Sequence, residues 1–241
     1  LELRYITTLL DQKRLHDDTL KSHKTFEKNY FIGEKSNYEN VSYPLEYLQN
    51  TILNERLIKI SEYFVNLKGK RILDVGCGRG EFLNLCEKYN MKTYGNDISK
   101  HALKMTREKS SAVLKRLDAS VKEYPYRNNF FDIVVSFDLV EHLKKDENFF
   151  TNTFRILKKC GLLYLITPND KQKADKDRTH INLRKKADWE KRCEDFGFKI
   201  AEISTYKWYP PVPYLITQKF LQFINKMRGF YIEQVVIIAK K

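Results

Sequence analysis

The sequence lacks several features that would point to particular classes of protein. Its 241 residues contain no apolar run long enough to span a bilayer, and no signal peptide is visible. The four cysteines form no Cys-x-x-Cys pair, and no histidine stands where it would complete a zinc knuckle. Because unpaired thiols fit a reducing compartment, we expect a cytoplasmic protein that does not rely on disulfides.

A long basic arm is also missing, although the formal net charge is +13. The basic residues are spread out, with short runs at 144–145 and 184–186. Such a charge indicates either an anionic partner (nucleic acid, a membrane surface or a phosphorylated substrate) or simply a lysine-rich surface. The hydrophobic fraction of 42%, with 15 Phe and 15 Tyr, indicates a real core rather than disorder.

Segments with strand and helix patterns alternate through most of the chain. An amphipathic helix is predicted over 45–66, and the alternation follows it. The predicted strands are 71–75, 92–97, 111–118, 130–137, 161–168, 199–206 and 234–241, and the predicted helices are 81–90, 99–109, 146–159 and 184–198. Such alternation predicts an α/β fold, in which a parallel sheet has helices on both faces. The last strand follows no crossover pattern, so we expect it to run antiparallel at or near an edge.

Two parts of the chain fall outside this alternation. We assign residues 1–44 to an N-terminal helical and irregular extension, with another domain or subunit as its expected contact, and residues 45–241 to the main domain. Within that domain the aromatic, proline-rich segment 207–231 is an insertion with helical spacing in its middle. It is interpreted as a lid or a membrane-surface contact, or as a helix that packs onto the domain, which we favour.

The first predicted strand runs directly into the glycines Gly76, Gly78 and Gly80 and then into a helix. Glycine adopts backbone angles that other residues resist, and it lets a ligand touch the main chain. The helix that begins near Gly80 presents backbone N–H groups that suit a carboxylate or a phosphate. Asp74, two residues before the first glycine, can meet the ammonium group of an amino-acid cofactor.

Acidic residues also close the next two strands. Asp97 follows the second strand, where a carboxylate can accept hydrogen bonds from both ribose hydroxyls. Asp118 follows the third strand, where it can receive an adenine amino group. Each acid could instead cap a turn or a helix. Their register at the ends of successive strands favours a nucleoside cofactor.

The segments ILDVGCGRGEF, YGNDIS, LDAS, FDIVVSFDLVEHL and LKKCGLLYLITPN together resemble the motifs of class I S-adenosylmethionine-dependent methyltransferases, in the branch acting on small molecules, quinones and sugars. The resemblance implies a Rossmann-like, seven-stranded, mostly parallel sheet with an antiparallel last strand, and S-adenosylhomocysteine as product. It implies cofactor contacts from Asp74, Gly76, Gly78 and Gly80 (methionine part), Asp97 (ribose), Ile98, Asp118 and Ala119 (adenine), and Phe137 and Asp138 (beside the sulfonium). The family often has Pro-Gly-Gly within the stretch that reads LKKCGLL here. The resemblance therefore does not define the shape of the turn at Cys160, whereas the cofactor site is unaffected.

Methyl transfer from a sulfonium is an in-line displacement in which the protein mostly aligns the acceptor and the methyl group. If the acceptor is a hydroxyl, a base helps to remove its proton. His142 and His180 are the best candidates, although His142 could instead orient its helix and His180 could be solvated, and Asp138 is assigned to the catalytic residues beside them. We assign no metal ligands. The alternative is that Asp138, Glu141, His142 and His180 form a metal cluster, which loosely resembles metal-dependent 2′-O-methyltransferases of RNA 3′ ends, whose pattern has Glu at the place of Asp138.

The sequence therefore predicts an S-adenosylmethionine-dependent methyltransferase that methylates oxygen on a small-molecule or saccharide acceptor, including a lipid-linked one. Two alternatives stay open. A nucleic-acid methyltransferase is suggested by the net positive charge and by the aromatic residues Tyr206, Trp208 and Tyr209. No known RNA-binding module is recognised in the sequence. The second alternative is a module that binds the cofactor but does not catalyse methyl transfer. Such a module would form no S-adenosylhomocysteine.

Overall fold

The computed structural model describes residue 26 and residues 46–170, 177–208 and 232–241. Nearly all of the predicted extension over 1–44 and of the insertion over 207–231 lies outside these residues. The helices are α1 Glu46–Ser61, α2 Glu81–Lys88, α3 Lys100–Arg107, α4 Glu147–Ile156 and α5 Lys186–Asp195, with a 3-10 helix at Val140–His142. The strands are β1 Arg71–Val75, β2 Lys92–Asp97, β3 Val113–Arg116, β4 Phe131–Phe137, β5 Leu157–Pro168, β6 Lys199–Trp208 and β7 Ile232–Lys240.

The seven strands form one sheet in the order β3-β2-β1-β4-β5-β7-β6. All pairings among β1 to β5 are parallel, and β7 is antiparallel to both β5 and β6. The predicted fold class and the antiparallel last strand are therefore confirmed. The outermost position belongs to β6, with β7 inserted beside it.

The register of the central strands places their carboxyl ends at one edge of the sheet. Asp74 of β1 pairs with Gly95 of β2 on one side and with Val135 of β4 on the other. The chain leaves β1 toward β2 and later returns to the opposite side of β1 as β4, so strand order reverses between β1 and β4. Ligands of open α/β sheets bind in the crevice at such a switch point.

The sheet is buried on both faces, as expected for parallel strands between helices. On one face Leu73 and Val75 join a core that includes Trp189 of α5. On the other face Ile72 packs in a second core with Ile60 of α1. The described part of the chain contains no helix that is both long and apolar enough to cross a membrane.

The end of α4 differs from the sequence-based prediction. A helix over 146–159 was expected, but α4 ends at Ile156, and Leu157 already pairs with Phe131 as the first residue of β5. Burying Leu157 in the sheet is more favourable than continuing an exposed helical turn. Cys160 then adopts a left-handed φ of 61°, and a Cβ on the following Gly161 would lie 2.8 Å from a backbone oxygen.

Candidate active site

The glycine loop between β1 and α2 depends on the absence of side chains. Gly76, Gly78 and Gly80 have φ angles of 79°, 51° and 78°, the left-handed region that glycine adopts readily. A Cβ on Gly80 would lie 2.3 Å from the Thr106 side chain. The loop is held to β2 because Asn96 accepts hydrogen bonds at its carbonyl oxygen from the N–H groups of Gly76 (2.9 Å) and its neighbour.

Asp74 and Asp97 flank this loop and differ in the hydrogen bonds that their carboxylates accept. The Asp97 carboxylate accepts hydrogen bonds from the N–H groups of Gly78 (3.0 Å) and Ser99 (2.8 Å). Asp74 is 4% exposed, and its Oδ1 has no hydrogen-bond partner among the described residues. Burial raises the pKa of Asp74 to about 7, while the nearby Arg56 opposes the shift. Asp97 thus holds the loop in shape, whereas Asp74 has an oxygen that can still accept a hydrogen bond.

The residues after β2 and β3 continue the same edge of the sheet. Asp118 is half-buried and accepts hydrogen bonds from the N–H (2.8 Å) and hydroxyl (2.7 Å) of Ser120, so it stabilises the turn after β3. Ala119 is buried, and its carbonyl oxygen accepts a hydrogen bond from the Tyr124 hydroxyl. Ile98 is half-buried beside them. Asp118 therefore performs the turn role, and its remaining lone pairs leave room for a further donor.

The segment after β4 approaches the glycine loop directly. The Leu139 side chain packs against Gly76, since a Cβ there would lie 3.1 Å from it. Phe137, at the end of β4, meets the ring of Phe82 on α2 edge-on with centroids 5.1 Å apart. Asp138 has a φ of 53°, a strained angle for a non-glycine residue, and 39% of its side chain is exposed.

Two contacts of this segment were missed in the sequence. Arg56 of α1 lies 4.3 Å above the Phe137 ring, and its guanidinium is 3.7 Å from Asp138 Oδ2. Gln234 of β7 donates a 2.7 Å hydrogen bond to Asp138 Oδ1. A signal for Arg56 was present, because it stands at helical spacing from Leu53 and Ile60, on the stripe that faces the core. The contact from Gln234 crosses most of the chain, so local patterns carry no sign of it.

Glu141, His142 and His180 come together beside Asp138. The loop after β5 is fixed by hydrogen bonds from the N–H groups of Ile181 (2.9 Å) and its neighbour to the Glu141 carbonyl oxygen. The imidazole centroids of His142 and His180 are then 4.8 Å apart, and the ring of Phe26 meets His142 edge-on at 5.1 Å. The structure brings the predicted candidates His142 and His180 together, and the position of His180 over the mouth of the site stays a prediction.

The Glu141 side chain is fully buried, with no exposed surface. Its Oε2 accepts a 3.0 Å hydrogen bond from Thr167, while Oε1 has no hydrogen-bond partner within the described ranges. Burial, reinforced by the nearby Asp138, raises the pKa of Glu141 to about 8.

The anchor of the loop that carries His180 is the buried Asp146, which precedes α4. Its carboxylate accepts hydrogen bonds from Asn182 (3.1 Å) and Arg184 (3.2 Å) of the loop and from Arg192 (3.0 Å) of α5. A buried carboxylate is tolerated when charged donors surround it in this way. The loop position is thus set by a charge cluster outside the cleft.

Residues 45–203 match the family described as "Methyltransferase domain". The chain belongs to this methyltransferase family. The methyltransferase is 26% identical over 199 residues to the uncharacterized protein MJ0638 of Methanocaldococcus jannaschii, covering 80% of this chain and 85% of that protein. It is 25% identical over 126 residues to the ubiquinone biosynthesis O-methyltransferase of Coxiella burnetii, a match that spans 51% of this chain and 54% of that enzyme.

A solved structure of Haemonchus contortus phosphoethanolamine N-methyltransferase 2, in complex with phosphomonomethylethanolamine and S-adenosylhomocysteine, has a TM-score of 0.60 to this methyltransferase. The identity is 18%, with 78% of this chain and 52% of that chain covered. The class I, S-adenosylmethionine-dependent methyltransferase predicted from the motifs is thereby confirmed in family, fold and cofactor. The likeness to the quinone enzyme is distant.

Proposed function

We propose that this methyltransferase transfers the methyl group of S-adenosylmethionine to an oxygen atom of a small-molecule or saccharide acceptor. The observation that carries the proposal is the position of Asp138, His142 and His180. Asp138 and His142 lie on the segment whose Leu139 packs against Gly76, and the His180 ring, from the loop after β5, lies with its centroid 4.8 Å from that of His142. A hydroxyl acceptor needs a group of this kind, because it must lose its proton on methylation.

The residues at the switch point fit the cofactor. The Asp74 Oδ1, which has no hydrogen-bond partner among the described residues, is a buried acceptor suited to the cofactor ammonium group. Gly80 begins α2 without a side-chain cap among the described contacts, so backbone N–H groups there can meet the cofactor carboxylate. The adenosine contacts that we propose are Asp97 on the ribose, Ile98, Asp118 and Ala119 around the adenine, and Phe137 and Asp138 beside the sulfonium.

When bound, S-adenosylmethionine supplies a good leaving group, so the work of the protein is alignment. We propose that Phe137 and Arg56, whose guanidinium stacks on the ring, form the wall between the cofactor and the acceptor. Asp138 is the proton acceptor with surface exposed in the cleft, and Gln234 holds its Oδ1 in place. His142 and His180 line the far side of the same mouth.

The test is an acceptor screen with S-adenosylmethionine carrying an isotopically labelled methyl group. The panel contains catechols and other phenols, saccharides, phosphoethanolamine and an RNA oligonucleotide. We expect S-adenosylhomocysteine to form with a phenol or a saccharide, and mass spectrometry to place the label on oxygen. The Asp97→Ala variant, which we expect to bind the cofactor weakly, is the control for enzyme-dependent product.

Other results of the screen would overturn parts of the proposal. A label on nitrogen of phosphoethanolamine would reject the O-directed reaction. A label only on RNA would favour a nucleic-acid methyltransferase. Cofactor binding with no S-adenosylhomocysteine from any acceptor class would favour a module without turnover.

A further inference from the structure

Glu141, His142 and His180 each offer one ligand atom for a metal ion, and the three atoms lie within 4.8 Å of one another. Around an ion with metal–ligand distances of about 2.1 Å, neighbouring ligand atoms lie roughly 3.0–3.4 Å apart. Side-chain rotations that move each ligand atom by about 1 Å would therefore bring the three atoms to the separations found around a bound ion. Two imidazoles and one carboxylate are typical ligands of divalent transition metals.

The orientation of His142 is fixed by groups behind it. Its Nδ1 lies 3.1 Å from the Thr179 carbonyl oxygen and 3.0 Å from the Thr179 hydroxyl oxygen. A carbonyl oxygen only accepts, so Nδ1 carries the proton in this contact. The Thr179 hydroxyl donates its own proton to Asp177 at 2.5 Å, and so it accepts from His142 as well. A neutral His142 then has its lone pair on Nε2, and this backing is common behind histidines that bind metals.

Glu141 supplies an independent indication. It is completely buried, and a hydroxyl of Thr167 satisfies only Oε2. Its Oε1 meets no hydrogen-bond donor in the part of the chain that the structure describes. Leaving a buried carboxylate oxygen unpaired is costly, and a bound cation would remove that cost.

We propose that Glu141, His142 and His180 bind a divalent transition-metal ion, of the type of Zn²⁺, Mn²⁺ or Co²⁺, whose open positions face the acceptor mouth. A pair of nitrogen ligands favours such ions over Mg²⁺ or Ca²⁺, which prefer oxygen. The histidines then act through the ion rather than as bases.

The role of the ion, unlike its binding, rests on the proposed O-methylation. An acceptor hydroxyl bound to the ion loses its proton more easily, as metal-bound water does. The proton passes to Asp138. The acceptor oxygen forms its bond to the methyl carbon, and the carbon–sulfur bond breaks with its electron pair remaining on sulfur.

The experiment titrates tag-free, EDTA-treated protein with Co²⁺, followed by visible absorption, and then displaces Co²⁺ with Zn²⁺. The variants are Glu141→Gln, which keeps the size of the buried side chain, and His180→Ala. The matched control is His101→Ala, which removes a histidine of α3 that is not part of the set. Circular dichroism and thermal unfolding of each variant check that it is folded.

We expect one equivalent of Co²⁺ to bind, with at least a tenfold loss of affinity in both Glu141→Gln and His180→Ala and no change in His101→Ala. The same order of affinity for Mg²⁺ and Co²⁺ would contradict the proposed ligand set. No stoichiometric binding, or binding that folded Glu141→Gln and His180→Ala retain in full, would overturn the site. If one of the two variants does not fold, the other decides.

Calorimetry with S-adenosylhomocysteine on the same samples separates this proposal from the proposed function. EDTA should leave cofactor affinity unchanged while abolishing O-methylation. If O-methylation persists in EDTA, the proposed role of the ion fails, while the metal site is decided by the Co²⁺ titration and the proposed function stands. If Co²⁺ binds at the cluster but the acceptor screen gives no O-methyl product, the metal site stands and the proposed function fails.

Discussion

Replacing Asp74 with Asn should stabilise the cofactor-free protein while weakening cofactor binding. The pKa of Asp74 rises from its ordinary 3.8 to about 7 because the carboxylate is buried, and the part of the chain that the structure describes brings no donor to its Oδ1. The folded protein therefore holds a proton that the unfolded chain releases above pH ~4. The free energy of unfolding falls as pH rises between these two pKa values, and the loss at pH ~8 is about 4 kcal/mol.

Asparagine is neutral at every pH and avoids this loss. The unfolding free energy of Asp74→Asn should exceed that of the wild type by up to about 4 kcal/mol near pH 8. Near pH 5.5 the difference should be only about 2 kcal/mol. The assay is urea denaturation of cofactor-free protein at both pH values. On the same samples, calorimetry should show S-adenosylmethionine binding roughly 10- to 150-fold weaker near pH 8, because a charge-assisted hydrogen bond is lost.

The matched variant is Asp97→Asn, which should lose stability. The Asp97 carboxylate uses two oxygens to accept from two backbone N–H groups, whereas asparagine has one acceptor oxygen. Its unfolding free energy should fall by roughly 1–3 kcal/mol at both pH values. A destabilised Asp74→Asn protein, or one whose stability relative to the wild type does not change with pH, would refute the reasoning about the buried charge.

Three further substitutions probe the framework around the site by urea denaturation. Asp146→Ala should lower the unfolding free energy by about 3–5 kcal/mol, because two part-buried arginine side chains lose their buried acceptor. Gly80→Ala should cost about 1–3 kcal/mol and weaken S-adenosylhomocysteine binding, because its φ of 78° and the Thr106 side chain exclude a Cβ. Ser99→Ala should cost about 1 kcal/mol, since its hydroxyl oxygen accepts from Ala102 N–H at the start of α3.

The first half of the sheet was predictable because its signals are local. β1 and β2 have the predicted bounds, and Ser99 caps α3 as expected. The hydrophobic runs and the turn residues between them lie within a few positions of each other in the sequence. The same holds for the glycine loop, whose three left-handed residues are all glycines.

Long-range contacts account for what the sequence did not reveal. The strand conformation of Leu157 depends on pairing with Phe131, which overrides the helical spacing of the preceding residues. The pairing of Asp138 with Arg56 and Gln234 joins segments from both ends of the domain. Within the described ranges, packing brings a donor to only one oxygen of Glu141, and no spacing of residues in the sequence encodes that result.

The place of β7 in the sheet has a consequence for synthesis. β7 is made after β6, yet it lies between β5 and β6 and supplies hydrogen-bonding partners to both. While residues 232–240 are still inside the ribosome, β5 and β6 therefore each lack a neighbour, and Asp138 lacks Gln234. Unpaired strand edges invite association with other chains, so we expect the nascent protein to associate more readily before residues 232–240 emerge than the finished domain does.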